Sequence, residues 1–387
     1  MVGQSRPLTN IAVCGDFKQV QLAAPLSRRV DLGKIFFSGR LSRNAAALGL
    51  APEQVENLFL KEYLIQFHAR YLNHAFGSIF YPLYDAIWNY GVKRRWTPCD
   101  VLLMVIQGKS LDLVQSARKQ GSRILGHPVT CEAGFLDREI QIETERLGLN
   151  FADFVEATDS FVAEAKLCDR LYCLSSLVKE SYVATGFPAD RIDVVQLPTD
   201  LSVFFPSEAP PPRPFRVACI GGISPVKGHL HLLEAWKKLA LPEAELIFAG
   251  TWRQEMKQAL APYAGLFDYR GPLGQADLAS LYRSLSLIVV PSVQEGFSLV
   301  TAEALACGVP VIVTTHVGAK DIIVPGENGY VVPVRDSDAL AEAILHIYRS
   351  PELAAHLREG AIASRARFPT LDQTADQLAA IIRSMAA

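Results

Sequence analysis

No apolar run in this 387-residue chain reaches the roughly 18–20 positions needed to cross a bilayer. The opening segment, Met1 to Pro7, also lacks the apolar core of a signal peptide. The expected location is therefore cytoplasmic, with any membrane contact peripheral and at the cytoplasmic face. Cysteine is sparse and unpatterned, at Cys14, Cys99, Cys131, Cys168, Cys173, Cys219 and Cys307. An odd, scattered set lying partly inside apolar runs speaks for reduced core thiols and against a disulfide framework. No cysteine pair has zinc-site spacing and the eight histidines form no HExxH arrangement, so no metal ligand set is expected. Net charge is small, at -2, and gives no reason to expect nucleic acid as a partner.

What is present suits two α/β domains, since the chain is too long for one ordinary core. Short apolar runs alternate with helical stretches, which predicts parallel sheets of βαβ units, doubly wound as in Rossmann-like domains. In the first half the expected strands are Asn10–Cys14, Lys34–Phe37, Val101–Ile106, Arg123–Leu125, Arg170–Cys173 and Asp193–Gln196. A helical insertion at about residues 52–90 faces the cleft in this reading. Its Phe59, Tyr63, Phe67 and Tyr71 recur at helical spacing and are expected to be core. Up to about residue 130, basic residues outnumber acidic ones roughly two to one, with clusters at Arg28-Arg29 and Lys93-Arg94-Arg95. These are either solvated faces or a surface for anionic lipid or an anionic acceptor.

Residues 208–214, rich in proline, read as a stiff linker between a first domain, 1–207, and a second, 215–368. In the second domain the expected strands are Phe215–Ile220, Glu245–Ala249, Phe267–Arg270, Leu285–Val290, Val309–Thr314 and Gly329–Val332. Helices are expected near Val226–Leu239, Ala276–Ser284 and Leu299–Ala306, with three more to the end of the chain.

Ligands of open α/β sheets bind at strand carboxyl ends. Leu287 to Ala304 is the most informative such end: a buried strand, a turn holding Glu295 and Gly296, then a helix starting near Ser298 and carrying Glu303. The amides of Phe297, Ser298 and Leu299 would be free donors for phosphate or sugar oxygens. On spacing alone, Glu295 and Glu303 fit equally well as sugar-binding carboxylates or as acids near a helix's positive end. After Phe215–Ile220 come Gly221-Gly222, which permit close backbone approach, and Lys227, a point charge for phosphate. That stretch lacks the Gly-Lys-Ser/Thr order of a phosphate loop and the G-x-G-x-x-G of a dinucleotide site. His127 closes a strand of the first domain, as a structural histidine or a cleft group.

Together these segments resemble the family 4 retaining glycosyltransferases of the GT-B fold. The resemblance runs from Gly221 to Gly228, through Glu295 to Leu299 and Glu303 to Ile312, and on to Gly318 and Gly326 to Val332. It implies two Rossmann-like domains facing across a cleft, with residues 369–387 crossing back onto the first. By resemblance Glu303 binds the nucleotide ribose, and Glu295 with the amides of Gly296 to Leu299 holds the transferred sugar and adjoining phosphate. Lys227 is similar to the pyrophosphate-binding lysine. Gly250 and Leu273 fall in the nucleobase region, and His127 lies near the reacting sugar carbon. The chain departs from the family at Gly222, where arginine is usual, and a basic residue of the first domain is expected to replace it. The first-domain glycine pair is reduced to Gly15, and the Asn-Gly-x-Asp stretch becomes Leu197-Pro198-Thr199-Asp200. The implied activity is transfer of a sugar, with retention, from a UDP- or GDP-sugar to a glycan, lipid-linked or small-molecule acceptor, without a metal or other cofactor. The alternatives are an epimerase or phosphorylase on this architecture, or a pseudo-transferase acting as a scaffold.

Overall fold

The computed structural model describes residues 6–15, 18–39, 44–72, 77–151, 158–211 and 213–386. Asp16 and Phe17 beside Gly15, and Pro212 of the linker, lie outside them. Runs of β-branched and aliphatic residues form two wholly parallel sheets, each covered on both faces, which is why runs such as Val101–Ile106 and Leu287–Val290 are apolar throughout. The first sheet comprises β1 (Leu8–Val13), β2 (Asp31–Phe37), β3 (Val55–Asn57), β4 (Val101–Ile106), β5 (Arg123–Pro128), β6 (Arg170–Cys173) and β7 (Ile192–Val194). Their order, β3-β2-β1-β4-β5-β6-β7, reverses direction between β1 and β4. The second sheet comprises β8 (Phe215–Ile220), β9 (Ala244–Ala249), β10 (Asp268–Tyr269), β11 (Leu287–Val290), β12 (Val311–Thr314) and β13 (Gly329–Val332). Its order, β10-β9-β8-β11-β12-β13, reverses between β8 and β11. Such reversals open a crevice at the strand carboxyl ends, and here they place the loops after β8 and β11 side by side.

One core cluster continues from the first sheet into the second, through Val105, Tyr172, Leu197, Phe297 and Ile323. The last helix, Leu371–Ala386, buries Ala375, Leu378 and Ile382 and packs on the first domain's helix Ala23–Ser27 and on β4 and β5. Arg29 pairs there with Asp376 at 2.5 Å and Arg28 with Asp372 at 2.8 Å. The Arg28-Arg29 cluster is therefore spent on the chain's own C-terminal helix and is not a free basic face. All seven cysteines are buried and unpaired. Among the described residues no helix is long and apolar enough to cross a membrane.

The helical insertion differs from its expectation in two ways. Residues 55–57 form edge strand β3 against β2, and the helices are Leu60–Leu72 and Gly77–Arg95. The aromatic stripe expected in the core faces outward instead, with Phe59, Tyr63, Phe67 and Tyr71 between 38% and 65% exposed. Helical periodicity predicts that one face differs from the other. It cannot say which face turns inward, and here Lys61 and His68 take the inward positions.

Candidate active site in the interdomain cleft

The loops after β8 and β11 are stitched together by close backbone contacts. Gly228, in the left-handed region at φ 66°, lies under the Pro291 carbonyl, where a Cβ would stand 2.0 Å from that oxygen. The Val293 amide donates to the Val226 carbonyl at 2.9 Å. This fixes Lys227 beside Glu295, and the ammonium donates to Oε2 in a close ion pair. The Glu295 main chain is held too, its amide donating to the His316 carbonyl and its carbonyl accepting from the Gly318 amide. At the start of helix Leu299–Ala306 the amides of Phe297, Ser298 and Leu299 have no acceptor among the described residues. Ser298 is held at φ 86°, a strained conformation for a non-glycine residue of the kind that gathers at functional sites.

Two cavities meet at the Lys227–Glu295 pair. One, of about 420 Å³, is lined by Gly221, Ser292, Phe297, Ser298 and Leu299, with Val129, Leu174 and Leu197 from the first domain. The other, of about 380 Å³, is lined by Gln107, Lys109, Thr130 and Asp137 of the first domain and Gln294 and Gly296 of the second. Lys227, Glu295 and Val129 border both. In the second cavity Gln107 Oε1 and Gln294 Nε2 are buried without a hydrogen-bond partner. Buried polar atoms are nearly always paired, so these two amides are the unusual polar groups of this cavity's wall.

The first domain closes directly onto this loop. Ser175 Oγ donates to the Gly296 carbonyl at 2.6 Å, and a Cβ on Gly296 would stand 2.2 Å from the Val129 carbonyl. Ser176 donates to Asp321 from both its amide and its hydroxyl, at 2.6 Å each. Farther along the cleft, helix Ala133–Leu147 reaches across. Its Glu143, 1% exposed, accepts from Arg335 Nε at 2.7 Å and faces His231 Nε2 at 3.1 Å. Glu139 pairs with Arg335 at 2.5 Å. Burial opposes its ionisation, but His316 and Arg335 outweigh burial and hold its carboxyl below the usual range.

The remaining residues singled out by sequence are spread more widely. Gly250, at φ 146°, packs on Gly221, leaving no room for a Cβ beside the Gly221 carbonyl. Gly222 faces the Thr251 hydroxyl. Glu303 is 8% exposed, accepts from the Tyr282 hydroxyl at 3.1 Å, and borders neither cavity. Leu273 lines a separate recess with Arg216, Glu245 and Arg270. Gly15 ends the β1 turn, its amide donating to the Val13 carbonyl. His127 is fully buried, stacked 4.2 Å from Tyr172, with Nδ1 2.9 Å from the Tyr172 carbonyl. Burial pushes its pKa down to about 4, partly offset by that carbonyl. Asp200 serves its own turn, accepting from Ser202. Sequence reasoning missed Gln107 and Lys109, although they follow buried β4 at the first sheet's reversal. Among the described residues no group of three or more His, Cys, Asp or Glu side chains is placed to hold a metal ion.

Residues 203–364 match the family Glycosyl transferases group 1. Relatives in sequence include the D-inositol 3-phosphate glycosyltransferases of Mycolicibacterium paratuberculosis and Frankia alni. The first is 32% identical over 210 residues, covering 50% of this chain and 47% of the relative. The second is 30% identical over 202 residues, covering 46% and 50%. The chain thus spans about half the length of the curated relatives it matches. Solved structures align over nearly its whole length. Sucrose-phosphate synthase from Thermosynechococcus elongatus has a TM-score of 0.66 at 19% identity, covering 98% of this chain and 99% of the other. HepE of Anabaena, solved with UDP and glucose, has a TM-score of 0.67 at 15% identity, covering 98% and 100%. The fold is therefore the two-domain GT-B fold, and its second domain is related in sequence to group 1 glycosyl transferases.

Proposed function

We propose that the chain is a glycosyltransferase that moves a sugar from a UDP- or GDP-sugar to a hydroxylated acceptor, with retention of the anomeric configuration. The observation that carries this reading is the Lys227–Glu295 pair, standing between two cavities beside unpaired helix-start amides. An ion pair of this kind keeps the lysine in place until a competing anion arrives. When the donor diphosphate enters, Lys227 turns to it and Glu295 is released to accept hydrogen bonds from the sugar hydroxyls. Lys227 and the amides of Phe297 to Leu299 then stabilise charge on the leaving diphosphate. Lys109, bordering the same cavity as Lys227, is the first-domain cation available where Gly222 stands in place of a basic residue. The leaving diphosphate takes the acceptor's proton, and its stabilisation rests on these residues without a bound metal. Glu303, oriented by the Tyr282 hydroxyl, is the ribose-binding carboxylate. A glycan or lipid-linked alcohol is the acceptor, and the lipid-linked case brings the basic first domain to an anionic membrane face.

The relatives' names support sugar transfer, and the UDP and glucose bound to HepE support the donor class. Titration calorimetry against UDP- and GDP-sugars tests it. Lys227→Ala is expected to weaken donor binding at least about tenfold, and Glu295→Gln to lower turnover more than affinity, because its role develops after the lysine has moved. Turnover is expected to survive chelation. Heat from none of the nucleotide sugars, together with no product on any acceptor, would refute the proposal and favour the scaffold reading.

A further inference from the structure

The hairpin of helices Leu60–Leu72 and Gly77–Arg95 is amphipathic in the wrong sense for a soluble surface. Its inward face carries Lys61, 2% exposed, which donates to Cys14 Sγ at 3.1 Å, and His68, fully buried with Nδ1 3.2 Å from the Tyr84 hydroxyl. Its outward face carries Phe59, Leu60, Tyr63, Phe67 and Tyr71, the last at 65% exposure. Leu83 and Tyr90 on the second helix are 55% and 65% exposed. The outward aromatics pair with one another, Phe59 with Tyr63 at 5.7 Å and Phe67 with Tyr71 at 4.8 Å, so they form a ladder along one side of the helix. A contiguous exposed apolar ladder marks an interaction surface.

The charges say what covers it. The hairpin's two described acids, Glu62 and Asp85, both turn in toward Lys61, at 3.7 Å and 3.5 Å. Its exposed charged side chains, Arg70, Lys93, Arg94 and Arg95, are all cationic; Lys93 pairs with Asp112 at 3.0 Å and Arg95 with Glu56 at 3.2 Å, so the surface charge rests on Arg70 and Arg94. A second copy of the same surface would bring like charges together, whereas an anionic lipid face matches both the aromatic ladder and the cations. The hairpin also adjoins the cleft. Asn89 on its second helix donates to the carbonyl of Lys109 at 2.7 Å, and Lys109 borders the cavity beside Lys227 and Glu295.

We propose that this hairpin docks the protein on an anionic lipid bilayer, with the Phe59–Tyr71 ladder in the interface and Arg70 and Arg94 on the headgroups. Docking there presents the cleft to an acceptor whose headgroup stands at the membrane surface. In naming that acceptor's location it rests on the transferase reading, but the docking is independent of the chemistry.

Flotation of the full chain with vesicles of phosphatidylcholine and phosphatidylglycerol, without any nucleotide sugar, tests the docking alone. The native protein is expected to float with these vesicles, to float poorly with phosphatidylcholine alone, and to be released by salt. The triple variant Tyr63→Ser/Phe67→Ser/Tyr71→Ser is expected to lower the partition constant at least about tenfold. Arg94→Gln is expected to lower it about fivefold. Both variants are expected to keep native thermal melting and donor-binding heat, since these side chains are exposed and border neither cavity. Native protein that does not float overturns the docking, as does a triple variant that floats unchanged. A native dimer that the triple variant converts to monomer overturns it too, in favour of self-association. None of these outcomes bears on donor binding, which the calorimetry reads separately.

Discussion

Replacing Glu143 tests how the two domains are held together. Its carboxylate is 1% exposed and is met by Arg335 at 2.7 Å and His231 at 3.1 Å, both from the other domain. Glu143→Ala leaves a guanidinium and an imidazole facing each other across the vacated site. Removing one partner of a buried pair costs about 3–5 kcal/mol. Arg335 is itself 20% exposed and keeps Glu139, so partial rehydration puts the expected cost near the lower end, about 3 kcal/mol. The assay is urea denaturation of the native protein, Glu143→Ala, Arg335→Ala and the double variant, followed by both tryptophan emission and circular dichroism. A coupling of about 2 kcal/mol or more between the two sites is expected, because each single change removes the 2.7 Å buried contact that the two side chains share. The loss falls on the contact between domains, so one cooperative transition is expected to separate into two in the variants. Additive effects, with coupling within about 0.5 kcal/mol of zero, would refute the assignment of this cluster as the interdomain clamp.

Two further outcomes follow from the same geometry. Gly296→Ala introduces no backbone strain, since Gly296 does not lie in the left-handed region, but its Cβ would stand 2.2 Å from the Val129 carbonyl. The domains must part by about 1 Å there, so a larger radius of gyration by X-ray scattering and a loss of sugar transfer are expected with little change in thermal melting; an unchanged radius and rate would count against the contact. His127 has its pKa pushed down from 6.5 to about 4 by burial. The unfolded chain then takes up a proton that the folded one refuses, so stability is full above about pH 6.5 and falls as pH drops toward 4. The loss is about 3 kcal/mol from His127 alone, and a His127→Phe variant should show a flatter decline.

Much of the fold was legible because parallel sheets demand continuous apolar strands. Val101–Ile106, Leu287–Val290 and Val311–Thr314 are buried at nearly every position, and no helix-spaced polar face competes with that reading. Edge strand β3 was not legible, because Val-Glu-Asn lies half-exposed at the sheet edge and carries no apolar run. The sense of the Leu60–Leu72 helix was unreadable for a different reason. Lys61 and His68 are ordinary surface residues in a sequence, and only Cys14, Asp85 and Tyr84, brought from elsewhere, give them a buried setting. Within the site, Lys227 and Glu295 were named from loop position and chain resemblance, and the fold brings them into contact. Lys109 could have been found by the same rule, applied to the end of β4.

The glycine in Glu295-Gly296-Phe297 carries two demands that a linear reading cannot separate. As part of a ligand loop it would be needed for close approach of a ligand to the backbone. The structure supplies another reason: the Val129 carbonyl and the Ser175 hydroxyl of the opposite domain both sit on it, and Gly318 lies against its carbonyl. The same few residues therefore border both cavities and form the seam along which the domains close. A ligand that enters beside Glu295 must pass this seam, and the Glu143–Arg335 cluster adjoins it through His316, whose ring faces Glu139 and whose carbonyl accepts from the Glu295 amide. Motif residues and interface residues coincide here because the loops at the second sheet's strand-order reversal open onto the first domain. The loop after β11 is consequently constrained by the first domain through Val129 and Ser175.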